Sequence, residues 1–214
     1  MTLLKALAKI EELGNPLFET KDVAAVLQVR ESNATKIASR LAKEGVILKL
    51  SRGKWALQRR LNPLAVPEHL TSPYPAYISL QSGLYLHGMI SQIPAVIYAI
   101  SLGRPRRYET PLGTYSIHHV SAEFFFGFEL DRSGHFKIAL PEKALVDLLY
   151  FSPTRTRLFT SLPELEIPKG FRWDGALEMA AKIRYRSRRA LVEERLAGIR
   201  NAARKNAQKK SNSN

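Results

Sequence analysis

Between positions 33 and 43 the chain alternates two kinds of side chain. Ala34, Ile37, Ala38 and Leu41 are apolar, whereas Asn33, Thr35, Lys36, Ser39, Arg40 and Lys43 are amides, hydroxyls or cations. The apolar set recurs at the period of a helix with one buried stripe, which leaves the polar set on the remaining faces. Small hydrogen-bonding groups mixed with cations on an exposed helix are the groups that contact base edges and phosphates in a major groove. Lys49, Arg52 and Lys54 follow within a few residues, and then Arg59 and Arg60. Cations placed there suit a segment that grips the sugar–phosphate backbone without reading sequence.

The same search finds little that could do covalent or metal chemistry. There is no cysteine, so disulfides, thiolate metal sites and cysteine nucleophiles are excluded. His118 and His119 are neighbours on an expected strand and so point to opposite faces. Ser82 and His87 lie too far round a helix for a nucleophile–base pair. Glu142 and Asp147 share a helix five positions apart, a spacing more usual for solvated or capping carboxylates than for an acid–base couple. Glycines are scattered, with no phosphate-binding loop. The expectation is a binding protein rather than an enzyme, with no metal and no cofactor.

The elements that must carry the cationic residues follow from pattern. Thr2 can cap a first helix with Leu4, Leu7, Ile10 and Leu13 inward and Gly14 as its stop. Thr20 can cap a second over 21–27, and a tight connection over 28–30 leads to a third over 31–44, for which Ser32 or Asn33 is the candidate cap. Two short strands over 46–50 and 54–57, turning at Ser51-Arg52-Gly53, complete a unit. Three helices followed by a hairpin is the order of a winged helix-turn-helix, expected over residues 1–60. Trp55 fits a core position under the helices better than a base-stacking one.

Residues 61–75 hold four of the twelve prolines and read as a partly ordered linker. Residues 76–205 read as an α/β domain: strands over 76–80, 95–102, 106–110, 114–119, 124–130 and 135–139, and helices over 81–87 and 141–150. Its sheet is expected to be mostly antiparallel. Two basic helices follow, one capped by Asp174 and one starting at Ser187. Residues 206–214 carry no apolar periodicity and are expected to be a disordered tail. The fold class is therefore α+β.

The net charge of +14 is distributed unevenly. Residues 1–60 hold 12 Lys/Arg against 6 Asp/Glu, residues 61–170 hold 9 against 9, and residues 171–214 hold 12 against 4. Two basic ends around a neutral middle suggest separate tasks, and basic surface attracts nucleic acid by releasing counterions. Arg104, Arg106 and Arg107 interrupt the neutral middle. They could grip DNA phosphate, meet an acidic protein or simply be solvated. Arg184, Arg186, Arg188 and Arg189 of the basic end stand as a further candidate contact. The apolar runs are too short for a membrane span, so a cytoplasmic location without membrane contact is expected.

Across residues 74–150 the order of short motifs resembles one family. Tyr77-Ile78-Ser79-Leu80-Gln81-Ser82-Gly83-Leu84-Tyr85-Leu86-His87-Gly88 is followed by Gln92-Ile93-Pro94 and by Gly103-Arg104 with Arg107. Then come Thr110-Pro111 with Gly113-Thr114, His118-His119, Phe124-Phe125-Phe126-Gly127, and Pro141-Glu142-Lys143-Ala144-Leu145 with Asp147-Leu148. This is similar to the AbiEi family, the antitoxin and autorepressor half of bacterial type IV toxin–antitoxin (abortive infection) operons. The resemblance implies an N-terminal winged helix on inverted repeats of operator DNA. It also implies a C-terminal domain that opposes a toxin of nucleotidyltransferase-like fold. Gly83 departs from the alanine common in that family, and Leu140 offers no side-chain cap to the following helix. The other readings are a winged-helix regulator with no toxin and a nucleic-acid-processing enzyme.

Overall fold

The computed structural model describes residues 2–57, 61–152 and 164–211, with side chains described through Lys205. The first helix, α1 (Leu3–Glu11), starts at Thr2, whose hydroxyl accepts the Lys5 N–H. After β1 (Leu17–Glu19) comes α2 (Thr20–Leu27). Its cap is Glu19 rather than Thr20, in a capping box with Asp22. Thr20 is occupied elsewhere: its hydroxyl accepts the Trp55 indole N–H at 3.0 Å. Gln28 then adopts a left-handed conformation, φ 55°. That reverses the chain within three residues, at a cost of about 1–2 kcal/mol for a residue with a Cβ. α3 (Glu31–Lys43) starts at Arg30 without a side-chain cap, so neither Ser32 nor Asn33 serves as one.

β2 (Leu48–Ser51) and β3 (Lys54–Ala56) form the hairpin, and β1 pairs on the other side of β3. The strand at Leu17-Phe18 therefore completes a three-stranded antiparallel sheet, in register Phe18 with Trp55 and Glu19 with Lys54. Ala6, Ile10, Phe18, Val23, Leu27, Ala34, Ala38, Leu41, Ile47 and Trp55 make one buried cluster beneath the helices.

Residues 61–75 do more than connect. A 3₁₀ turn at Pro63–Ala65 runs into α4 (Val66–Thr71), whose Val66 and Leu70 are buried. They pack with Leu50 and Ala56 of the hairpin and Tyr115 of the second sheet. Proline at the first positions of both turns removes an N–H that would have lacked a partner there, so this proline-rich stretch becomes helical once packed.

The second sheet is mixed, in the order β6-β7-β5-β4-β9-β8. Its strands are β4 (Ala76–Ile78), β5 (Val96–Ser101), β6 (Arg106–Thr110), β7 (Gly113–His119), β8 (Phe128–Leu130) and β9 (Lys137–Ala139). Three of its pairings are antiparallel, but β5 with β7 and β4 with β9 run parallel. Antiparallel pairs are the majority, as expected, and those two junctions make the sheet mixed. The β6–β7 hairpin folds back so that β7, not β6, lies against β5, and local periodicity carries no information about that choice.

α5 (Leu80–Leu86), α6 (Pro141–Phe151), α7 (Trp173–Ala181) and α8 (Arg186–Ser211) contribute to a single large core with β4 and β5. Gly83 of α5 has a packing role. A Cβ there would stand 3.1 Å from the Ala144 Cβ of α6, so glycine lets the two helices approach more closely than alanine would. The strand expected over 124–130 is only β8. Residues Ala122–Phe124 form a 3₁₀ turn, and Gly127 (φ 74°) bends the chain before β8. Asp174 sits in the first turn of α7 and Arg172 is the cap position. α8 continues through Ser211, so the tail expected to be disordered from residue 206 is helical that far, and residues 212–214 lie outside the described residues. Ala, Gln and Lys are good helix formers, and a helix already nucleated by packing propagates through them.

Candidate nucleic-acid interface

α3 buries Ala34, Ala38 and Leu41 against the N-terminal core. Asn33, Thr35, Lys36, Arg40 and Lys43 are exposed and Ser39 is half-buried. At 100° per residue, Asn33, Lys36, Arg40 and Lys43 fall within an arc of roughly 80° on the side away from the core. Thr35 lies outside that arc, and its hydroxyl donates to the Glu31 carbonyl at 2.9 Å. One helix thus presents an amide, two ammonium groups and a guanidinium in a single strip, with Ser39 at its margin.

The hairpin cations divide by environment. Lys49 and Arg52 are exposed, and the Lys49 ammonium lies 6.0 Å from the Trp55 ring centroid. Lys54 is only 15% exposed and its ammonium is 2.8 Å from the Glu19 carboxylate. Partial burial pushes the Glu19 carboxyl up, but hydrogen bonds from Lys54, Lys21 and Ser72 outweigh it and hold the group at about 2. Lys54 therefore ties β3 to the start of α2, and Glu19 in turn reaches Ser72 at the end of α4. Trp55 is 1% exposed, which makes it a core residue. Arg59 and Arg60 lie outside the described residues.

Arg104, Arg106 and Arg107 do not form one cationic knob. Arg106 and Arg107 are consecutive on β6, opposite Ile117 and Ser116, so they point to opposite faces. The Arg106 guanidinium lies 5.0 Å over the Tyr108 ring. Arg107 is 3.8 Å from the exposed Glu109. In the C-terminal helices Arg188 donates to the Tyr150 carbonyl at 3.1 Å, and Arg189 to the Ala181 carbonyl at 3.4 Å. Each reaches a carbonyl at or near a helix C-terminus that has no intrahelical donor, so both cations cap α6 and α7. Arg184 and Arg186 remain exposed.

Ser82, His87, Glu142 and Asp147 each have polar partners within the fold. Ser82 accepts the Tyr98 N–H at 2.9 Å, while His87 Nε2 lies 2.6 Å from the Ala139 carbonyl. Glu142 accepts the Arg172 N–H at 2.7 Å. Asp147 is fully buried, paired with Lys143, and accepts hydrogen bonds from Tyr77 (3.1 Å) and Ser79 (2.7 Å). The Lys143 ammonium also sits 3.9 Å over the Phe124 ring and 5.2 Å over Phe126. Burial pushes its pKa down, against the pull of Asp147. The i, i+4 spacing of Lys143 and Asp147 on α6 was the sequence signal for this pair. Ser116 and His118, two apart on β7, bring Oγ and Nε2 to 3.1 Å. Among the described residues no group of three or more His, Asp or Glu could hold a metal ion. Among those residues, too, no helix is long and apolar enough to cross a membrane. The chain matches no protein-family model and no curated protein.

Proposed function

We propose that residues 1–60 act as a winged helix-turn-helix on double-stranded operator DNA, and that the protein is a transcriptional autorepressor and an antitoxin. The observation that carries the DNA half is the strip of Asn33, Lys36, Arg40 and Lys43 on α3, backed by a fully buried stripe. A helix so anchored can enter a major groove without losing its own packing, and its amide and cations match base-edge and phosphate acceptors. Lys49 and Arg52 on the adjacent hairpin supply sequence-independent phosphate contacts, with Lys54 setting the hairpin's position. The antitoxin half rests on the AbiEi-like motifs between residues 74 and 150, and its partner would be a nucleotidyltransferase-like toxin. Of the four arginines proposed for that contact, Arg184 and Arg186 are exposed and would meet an acidic surface. The role is one of binding rather than catalysis.

A promoter-fragment titration at several salt concentrations tests the DNA half. Lys36→Ala or Arg40→Ala should weaken binding to the promoter by about 1–3 kcal/mol, with a smaller effect on random duplex, if the residue reads a base. Arg52→Ala should weaken both DNAs alike and make the salt dependence shallower. Promoter bound no more tightly than random duplex would overturn the repressor reading, and equal losses on both DNAs for all three variants would move base reading away from α3.

A further inference from the structure

A concave groove of about 530 Å³ opens between the end of α4 and the loop from β5 to β6. Its volume lies within the range typical of small-molecule sites. The lining includes Tyr74, Gly103, Arg104, Arg106, Tyr108 and His119, with no carboxylate among the lining residues. Arg104, Arg106 and His119 are exposed, and Tyr74 is 52% exposed. A Cβ on Gly103 would stand 3.3 Å from the Tyr74 Cδ2, so glycine is what allows the tyrosine ring to lie against this loop. His119 Nδ1 is 3.1 Å from the Gly103 carbonyl and donates to it. That bond orients the imidazole and leaves Nε2 available to a ligand.

Two chemistries are thus held side by side. The guanidinium forks of Arg104 and Arg106 match a phosphate monoester, which takes paired N–H donors. The half-exposed Tyr74 offers a π face to a planar ring. A duplex keeps its bases stacked inside and cannot use that face, whereas an unstacked nucleotide can. We propose that this groove binds a nucleoside 5′-phosphate, with the phosphate on Arg104 and Arg106 and the base on Tyr74. The source is either a free mononucleotide or the unpaired 5′ end of a strand. The site is separate from α3 and does not depend on the operator-binding reading, so either can fail without the other.

Calorimetric titration of the full-length protein with adenosine 5′-monophosphate, adenosine and inorganic phosphate tests the site. The monophosphate should bind at least about tenfold more tightly than either fragment, as expected when one pocket satisfies both halves. Arg104→Ala and Arg106→Lys should each weaken the monophosphate at least about fivefold, the second because lysine keeps the charge and loses the fork. Tyr74→Leu should weaken the monophosphate and leave inorganic phosphate unchanged. Arg132→Ala, an exposed arginine outside the groove, controls for the general attraction of a basic protein and should change nothing. A monophosphate bound no better than inorganic phosphate, or weakened as much by Arg132→Ala as by Arg106→Lys, would overturn the proposal. A 5′-phosphorylated trinucleotide separates the sources. Tighter binding than the monophosphate supports a strand end; equal or weaker binding supports the free nucleotide.

Discussion

Replacing Lys143 by methionine should destabilise the protein more than any single surface change, and the size of the loss can be worked from its surroundings. The lysine and Asp147 are both 0% exposed. Methionine keeps most of the aliphatic stem that fills the space beneath Gly127, whose added Cβ would stand 3.1–3.2 Å from the lysine's Cβ, Cγ and Cδ. What Lys143→Met removes is the charge. Asp147 would keep the Tyr77 and Ser79 hydroxyls but remain a buried carboxylate without a counter-charge, a change that typically costs about 3–5 kcal/mol. The reciprocal variant, Asp147→Asn, strands the cation instead, but Phe124 and Phe126 still present ring faces to it. Each desolvated contact of that kind contributes on the order of 0.5–2 kcal/mol, so Asp147→Asn should cost less than Lys143→Met. With both charges gone, the double variant should be more stable than the two losses added together predict, by about 2 kcal/mol or more. Urea denaturation of the four proteins near neutral pH measures all of this, provided that the m-values agree. Single losses below about 1 kcal/mol, or strict additivity, would refute the view that the pair's charges are buried and mutually compensated.

Burial pushes both His69 and His118 down to about 4, with Lys54 adding to the effect at His69. A histidine whose pKa is lower folded than unfolded is neutral in both states above its unfolded value of 6.5, and stability is then full. Stability is lost as pH falls from there toward 4. The loss from about pH 7.5 to about pH 5 should be near 2 kcal/mol per group. Urea midpoints across that window should shift less for His69→Gln or His118→Gln than for the parent, and an equal shift would show the imidazoles to be solvated. Arg188→Ala should cost about 1–2 kcal/mol of stability through the lost charged hydrogen bond to the end of α6. It should leave the salt dependence of DNA binding unchanged, and a shallower slope would mean that Arg188 faces phosphate instead.

Much of the architecture was written in short-range pattern. The Thr2 cap of α1 and the stops and apolar steps of α1, α2 and α3 placed these helices to within a few residues, because each burial stripe repeats within one turn of its neighbour. The Pro111-Leu112-Gly113 turn located the β6–β7 hairpin, and Pro141 the start of α6. The split of α3 into apolar and polar faces was equally legible, since an α-helix fixes the angle between any two of its residues. Thr20 failed as a cap because the fold gives its hydroxyl to the Trp55 indole, and Ser32 and Asn33 because α3 starts at Glu31 and takes both into its first turn.

What the sequence by itself determined, then, was the order of most elements, the buried face of helices such as α3 and the total charge at each end, whereas α4 and the exposure of Leu4 on α1 escaped it. Only the tertiary structure decided which of those charges remain available. Lys54, Arg188 and Arg189 look like Arg40 or Arg52 in the sequence, yet Glu19 and two helix-terminal carbonyls occupy them. Arg106 and Arg107, adjacent in the chain, are sent to opposite faces, and the first joins Tyr74 and His119 across a groove that no local pattern foreshadows. The parallel pairing of β5 with β7 has the same origin. The physical reason is that helix and strand periodicity depend on neighbours a few bonds away, whereas charge pairing, capping of distant carbonyls and strand order depend on which surfaces meet when the chain condenses. Those meetings are fixed by the summed burial of the whole core, and no single segment encodes them.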